Sequence, residues 1–326
     1  RISMRCASGP GRRVGRAGID VPARNKPINK VGILKTSWRR GTQSGSRRPK
    51  RPLRLGLSES LEFPVALIAI DALDGKPFKD KVLDLVRRDQ MESASAEEIL
   101  IWAVENFHPR LTISASFGAP EGMVLIDMLH RIEAASSVFV LDTGRLHPAT
   151  HDLIDRVRDR YDKPVDVVFP AAEEVAEMVR ERGPNLFYAS HEDRKRCCRV
   201  RKVLPMRRHL AGYDAYVTGL RRDQNANRAD ARKVEIDSIN GDLVKLNPLA
   251  DWHRDQVMDY VQTHNVPINR LHQQNYPSVG CQPCTRAIAP GADPRSGRWW
   301  WEADDTRECG LHLPDPVPQA DESDGS

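Results

Sequence analysis

The sequence lacks a long apolar run and any internal repeat. Its longest apolar stretch, from Leu61 to Leu73, is interrupted by Glu62, Pro64 and Asp71 and is far shorter than the roughly 20 residues that a membrane-spanning helix needs. Self-similarity at a period of about 20 to 50 residues, typical of solenoids and propellers, is absent. With 40% hydrophobic and 29% charged residues over 326 positions, the chain has the composition of one large or two ordinary globular domains. No membrane partner is expected.

Acidic side chains are almost absent from the first 56 residues, which hold 16 Lys and Arg but only one acid, Asp20. The remaining 270 residues carry 34 basic and 44 acidic side chains. The body of the protein is therefore acidic, although the whole chain has a net charge of +5. Since a surface that follows nucleic-acid phosphates should be basic where the chain folds, no nucleic-acid partner is expected.

Both ends of the chain have low-complexity composition. Residues 1–57 are rich in Arg, Gly, Pro and Ser and are predicted to form a disordered basic extension. Three interpretations remain open for it: an organelle transit peptide, sequence upstream of the true start, since the chain begins at Arg1 rather than Met, and a nucleic-acid-binding arm. Residues 58–95 are expected to be a helical lead-in, and the Pro- and Asp-rich residues 313–326 a flexible tail.

Between these ends, helical and strand patterns alternate. Strands are predicted at 111–116, 137–141, 165–169 and 213–218, and helices at 96–107, 147–161, 172–182, 194–210 and 254–264. This order predicts an α/β fold with a parallel sheet covered by helices. Residues 96–294 would form this main domain.

Three polar loops follow predicted strands. They read SASFG at 114–118, LDTG at 141–144 and TGLRRDQ at 218–224. Loops at the carboxyl edge of such a sheet bind ligands, and hydroxyls and backbone N–H groups at a helix start suit a phosphate. The alternatives are ordinary capping turns for the first two loops and a solvated basic turn for the third.

Six cysteines occur in the chain, too few for the disulfide framework of a small secreted protein. Four of them form two pairs, the adjacent Cys197 and Cys198 and the CxxC of Cys281 and Cys284. Two plus two thiols match a tetrahedral zinc site or a four-cysteine iron–sulfur cluster. Neighbouring side chains on a helix diverge, which favours the larger cluster, and free thiols favour a reducing compartment such as the cytoplasm. Six basic residues surround the first pair: Arg194, Lys195, Arg196, Arg199, Arg201 and Lys202.

A further cysteine, Cys309, stands near the end of the chain in the segment RECGLH. Arg307 and His312 would hold its thiol partly as the thiolate, which is the nucleophilic form. The alternative is an incidental surface cysteine.

Eight motifs in order resemble the adenylyl-sulfate reductases of assimilatory sulfate reduction, the iron–sulfur branch of the adenylyl-sulfate and phosphoadenylyl-sulfate reductase family. The resemblance extends from about Ala96 to His312. Its motifs are SASFG at 114–118, LDTG at 141–144, CCRVRKVLP at 197–205, TGLRRDQ at 218–224, NPLADW at 247–252, GCQPCTRA at 280–287, RSGRWWWE at 295–302 and ECGLH at 308–312.

The resemblance implies a Rossmann-like fold of the adenine nucleotide alpha hydrolase (PP-loop) type and a [4Fe–4S] cluster. It also implies reduction of adenylyl sulfate to sulfite and AMP by thioredoxin or a glutaredoxin-like donor, through an S-sulfocysteine on Cys309 in a mobile segment, 295–312. No thioredoxin-like domain follows His312, so this donor is expected to be a separate protein; a homo-oligomer is also expected. The cluster ligands would be Cys197, Cys198, Cys281 and Cys284, and the substrate would be bound by Ser114, Ser116, Gly118, Leu141, Gly144, Lys202, Arg221, Arg222, Arg228, Arg295, Arg298 and His312.

Three rival functions are weighed against this one. Phosphoadenylyl-sulfate reductase is the nearest, and four cluster cysteines favour the substrate without the 3′-phosphate. A PP-loop ATP pyrophosphatase of the tRNA-thiolating kind should have a basic body, whereas this body is acidic. A nucleotide-binding iron–sulfur or zinc sensor would leave ECGLH unexplained.

Overall fold

The computed structural model describes residues 78–87 and 89–302. The predicted basic extension, the tail and most of the lead-in lie outside these residues. The described helices are α1 (Phe78–Arg87), α2 (Ala96–Phe107), α3 (Pro120–Ile132), α4 (Pro148–Tyr161), α5 (Ala172–Arg182), α6 (His191–Cys198), α7 (Leu204–Leu210) and α8 (Arg254–Thr263). The strands are β1 (Leu111–Ser114), β2 (Ser137–Leu141), β3 (Asp166–Val168), β4 (Ala215–Thr218), β5 (Val234–Asp237) and β6 (Leu243–Leu246).

The six strands form one sheet in the order β3-β2-β1-β4-β6-β5. All neighbouring pairs are parallel except β5 and β6, which are antiparallel. The prediction of an α/β fold with a parallel sheet is confirmed, and the antiparallel pair at one edge is an addition to it. The β5–β6 hairpin was not predicted, because its two strands of four residues alternate polar and apolar side chains too briefly to give a strong period.

Apolar side chains cover both faces of the sheet. On one face, Ile113 of β1 lies in register with Val138 and Val217, within a core that also holds Trp102 of α2 and Leu125 of α3. The other face is covered at α7, and its cluster consists of Phe139, Met206, Leu210 and Tyr216. No helix in the described part of the chain is long and apolar enough to cross a membrane.

The predicted helix over 194–210 divides into three parts. Helix α6 ends at Cys198, residues Arg199–Val203 form a π-helical turn, and α7 follows. A π turn closes i→i+5 hydrogen bonds and is frequent at functional sites. It changes the direction of the side chains that come directly after the cysteine pair, which include Arg201 and Lys202.

Candidate active site

A cavity of about 700 Å³ opens at the carboxyl edge of the sheet. The strand ends Ser114, Leu141 and Thr218, from β1, β2 and β4, all contribute to its wall. Strand β1 lies between β2 and β4. The chain runs outward from β1 through β2 to β3 and then returns to place β4 on the other side of β1. Open α/β sheets bind ligands at such a reversal point.

The 114–118 loop lies against a second segment of the cavity wall. The N–H of Gly118 donates to Ser116 Oγ at 3.3 Å, and Ser114, Ser116 and Gly118 all line the cavity. A Cβ on Gly118 would stand 2.2 Å from the carbonyl oxygen of Val279. Only glycine therefore permits this close approach of two backbones.

The 141–144 loop is held by Asp142, whose Oδ1 accepts from the N–H of Gly144 at 2.8 Å. Gly144 has a φ of +68°, a conformation that favours glycine. Asp142 Oδ2 also lies 2.9 Å from His151 Nε2. Leu141 and Thr143 line the cavity, whereas Gly144 is not among the lining residues.

The three arginines of the 218–228 region differ in their positions. Arg221 lines the cavity but is buried, with Nε bonded to Glu121 at 2.8 Å. Arg228 also lines the cavity and donates to Gln224. Arg222 is not in the cavity wall; it pairs with Glu92 and donates from Nε to the carbonyl of Ala231 at 2.8 Å. The partners of Arg221 and Arg222 neutralise both guanidiniums.

Lys202, Arg295 and Arg298 form a cationic wall of the cavity. The guanidinium carbons of Arg298 and Arg295 lie 4.5 and 5.9 Å from the ring centroid of Trp299, a distance at which cation–π attraction holds the charge in place. Arg298 Nη1 donates to Ser278 Oγ at 3.2 Å. Its Nε is buried without a hydrogen-bond partner among residues 78–302, so this side chain has a donor left for a ligand.

All four cysteines of the two predicted pairs line a second, smaller cavity. Their side chains are buried, with 6 to 9% of each residue exposed, and all four are free thiols. Burial raises the pKa of Cys284 to about 12, with the neighbouring Cys281 as the next cause, and burial also raises the pKa of Cys197. Cys197 and Cys284 would therefore bind as thiolates only where a bound cation replaces their protons.

Four thiols are the donor set of a tetrahedral zinc site and equally of a four-cysteine iron–sulfur cluster. Within the described residues, no group of three or more potential ligands is arranged so that it could hold a metal ion. The four thiols line a shared space. Arg194, Arg201 and Lys202 border the same space and would offset the negative charge of thiolates.

The two cavities share part of their walls. Lys202 and Cys281 line both, and Thr143 Oγ1 of the 141–144 loop lies 3.3 Å from Cys281 Sγ. The backbone N–H of Gln282, the residue after Cys281, donates to the carbonyl of Arg145 at 2.8 Å. The 141–144 loop and the CxxC turn are thus connected by direct contacts.

Two predicted site residues, Cys309 and His312, lie outside the described residues. Sequence reasoning missed Thr143, although it is within the quoted LDTG motif, and Trp299, whose signal was the run of three tryptophans. Trp299 is 1% exposed with a φ of +43°, a conformation that is strained for a bulky residue and typical of functional sites.

Gly280 provides a test of the cationic wall. A Cβ at Gly280 would stand 2.3 Å from Arg298 Nη2, the far end of a flexible side chain. We expect Gly280→Ala to displace this guanidinium and to weaken nucleotide binding by about 10-fold, with little change in the free energy of unfolding. Gly212→Ala, whose Cβ would meet its nearest atom at 3.7 Å, is the matched control in calorimetric titrations. If Gly280→Ala and Gly212→Ala bind the nucleotide with equal affinity, Arg298 does not contact the nucleotide.

Comparison with known proteins gives consistent matches. Residues 110–287 match the phosphoadenosine phosphosulfate reductase domain. The chain is 44% identical over 221 residues to a Burkholderia cepacia protein named adenosine 5′-phosphosulfate reductase, covering 68% of this chain and 88% of that protein. It is 46% identical over 209 residues to the Allochromatium vinosum protein of the same name, covering 64% and 81%. The crystal structure of phosphoadenylyl-sulfate reductase from Candida auris in a phosphate complex matches with a TM-score of 0.53 and 25% identity, covering 64% and 97%.

Proposed function

The chain belongs to the adenosine 5′-phosphosulfate reductases, within the family of the phosphoadenosine phosphosulfate reductase domain, and on this premise we propose that it reduces adenosine 5′-phosphosulfate to sulfite and AMP, with thioredoxin as the electron donor. The observation that carries the proposal is the shared wall of the two cavities. A nucleotide-sized space with three cations at one end adjoins four buried thiols through Lys202 and Cys281.

The reaction begins with attack by the Cys309 thiolate on the sulfur of the sulfo group. A bond forms between Cys309 Sγ and that sulfur, the bond from sulfur to the phosphate oxygen breaks, and AMP leaves with the electron pair. A thiolate of the dithiol donor then attacks Cys309 Sγ. The bond between Cys309 Sγ and the sulfo sulfur breaks, and sulfite leaves with the electron pair of that bond. The other donor thiol resolves the mixed disulfide, so the donor leaves as a disulfide and Cys309 regains its thiol.

The cationic wall makes the first step feasible. A thiolate approaching a sulfonated phosphate is an anion approaching an anion. Lys202, Arg295 and Arg298 would lower this repulsion and stabilise the charge that grows on the departing phosphate. Because the rings and partners that hold these cations are already in place, little reorganisation is needed during the reaction.

We assign the [4Fe–4S] cluster to Cys197, Cys198, Cys281 and Cys284. When bound, the cluster would supply a fixed charge distribution and structural support next to the substrate, while the electrons arrive on the dithiol. Lys202 then stands between the cluster cavity and the nucleotide. A reducing cytoplasm suits the buried free thiols, and a homo-oligomeric state remains a prediction.

The nucleotide without a 3′-phosphate is the expected substrate. The guanidinium charge of Arg221 is offset by Glu121 and Asp223, and that of Arg222 by Glu92. Glu235 and Asp237 add negative charge to the cavity wall. Beside Arg221, Glu235 and Asp237 a further phosphate dianion would gain little electrostatic attraction, although the wall also includes Arg228 and Arg254.

Sulfite release from the two nucleotides, measured with thioredoxin and thioredoxin reductase under anaerobic conditions, tests both the activity and this preference. We expect kcat/KM for adenosine 5′-phosphosulfate to exceed that for its 3′-phosphorylated form by on the order of 100-fold. Equal values would overturn the preference. Failure to release sulfite from either nucleotide, in protein with a full complement of iron and sulfide, would overturn the function.

A further inference from the structure

A buried ion pair joins helix α6 to the end of the described chain. Arg194 donates from Nε and Nη2 to the two carboxylate oxygens of Glu302, at 2.8 and 2.9 Å. The side chains are 0% and 6% exposed. A two-pronged contact of this kind fixes direction as well as distance, and in a buried site the loss of either partner leaves an uncompensated charge.

The same guanidinium reaches the cysteine cavity. Arg194 lies four residues before Cys198 on α6, so the two share one helix face, and its side chain is hydrogen-bonded to Cys198. Its guanidinium carbon also lies 4.8 Å from the ring centroid of Trp299. Arg194 is therefore a cation held between a cluster cysteine and Glu302.

Glu302 is also the base of the segment that carries the nucleophile. Cys309 lies seven positions after Glu302, and a chain of seven residues spans at most roughly 25 Å. Upstream, Arg298 in the cavity wall is only four residues away. The position of Glu302 thus limits the distance between the Cys309 thiol and the cavity wall and, with it, the effective concentration of the thiol at the cavity.

We propose that Glu302 is a positioning residue, which through Arg194 ties the Cys309 segment to the four-cysteine site and so presents the thiol to the substrate. The inference rests on the proposed function. It assigns a role in the first half-reaction to an ion pair that touches neither the substrate nor the reacting sulfur. The four-cysteine site is then also expected to support the position of the segment that carries Cys309.

Glu302→Gln keeps the shape of the side chain and removes its charge. In single turnover without reductant, we expect the rate of sulfo-adduct formation on Cys309, followed by peptide mass spectrometry, to fall by about 10- to 100-fold. KM for the nucleotide, iron content and the visible absorption of the protein should stay as in the parent. Trypsin should cleave after Arg307 several-fold faster. Glu302→Asp, which restores the charge on a shorter stem, should recover part of the adduct rate.

The control is Glu181→Gln. Glu181 pairs with Arg196 of the same helix α6, but this pair is exposed, so both readouts should match the parent. Parent-like adduct and cleavage rates in Glu302→Gln would overturn the proposal. Loss of iron in both Glu302 variants would also overturn it, because the pair would then only support the cluster. If the parent forms no adduct, the proposed function fails, and the trypsin comparison still decides the role of Glu302.

Discussion

Cys309→Ser is expected to lose sulfite release by a factor on the order of 10⁴ to 10⁶, while the protein keeps its iron and its visible absorption. A serine hydroxyl is a far weaker nucleophile than a thiolate at neutral pH. A sulfate ester on serine would also lack the divalent sulfur at which the donor dithiol forms a mixed disulfide and releases sulfite. Both halves of the reaction therefore depend on this one atom.

The measurement is anaerobic and has two parts. The parent, incubated with adenosine 5′-phosphosulfate and no reductant, should gain the mass of one sulfo group on the peptide that contains Cys309, and Cys309→Ser should gain none. Cys6→Ser is the matched control, because Cys6 belongs to neither cysteine pair and lies outside the motifs; it should form the adduct at the parental rate. Turnover retained in Cys309→Ser would remove this residue from the mechanism.

The loops that follow the strand ends were the part of the site that the sequence predicted best. The segments 111–116 and 137–141 are predicted as strands from their sequence, and parallel strands bring their carboxyl ends to one edge. The loops at 114–118 and 141–144 had to follow those strands, and the structure brings both to the same cavity. The two cysteine pairs could likewise be grouped from spacing alone, and all four thiols line one space.

The positions of the arginines in the 218–224 loop could not be predicted from the sequence. Arg221 and Arg222 are adjacent in a basic loop, yet one lines the cavity and the other does not. Their directions are set by Glu121 and Glu92, which lie at least 100 positions away in sequence. A local pattern contains no information about such partners. The Arg194–Glu302 pair, separated by 108 residues, was missed for the same reason.

The hairpin of β5 and β6 depends on similar long-range contacts. Tyr216 of β4 donates its hydroxyl to Asp237, and Lys245 pairs with Glu235 at 2.7 Å across the hairpin. These contacts stabilise two strands whose own sequence favours no clear period. The hairpin nevertheless lines one side of the nucleotide cavity. The loops after β1 and β2 were therefore predicted from the sequence, and the contribution of the hairpin to the cavity was not.

Cys281→Ser should lose the cluster. Cys281 is the thiol that lines both cavities, and a serine oxygen is a hard donor in a position that suits soft thiolate. Changes in outer-shell partners of a metal ligand cost about 10- to 100-fold in affinity, and loss of the ligand itself should cost more. We expect iron and sulfide per chain to fall more than about 10-fold, with loss of the visible absorption and of sulfite release.

Cys309→Ser serves here as the control, because it makes the same substitution outside the cysteine cavity and should keep its iron. Thermal unfolding separates loss of the cluster from loss of the fold: the sheet and its two apolar faces do not depend on Cys281, so Cys281→Ser should still unfold cooperatively. An active Cys281→Ser protein without iron would contradict the cluster assignment. A full iron complement in Cys281→Ser would exclude Cys281 from the ligands, since the three remaining thiols would then hold the iron without it.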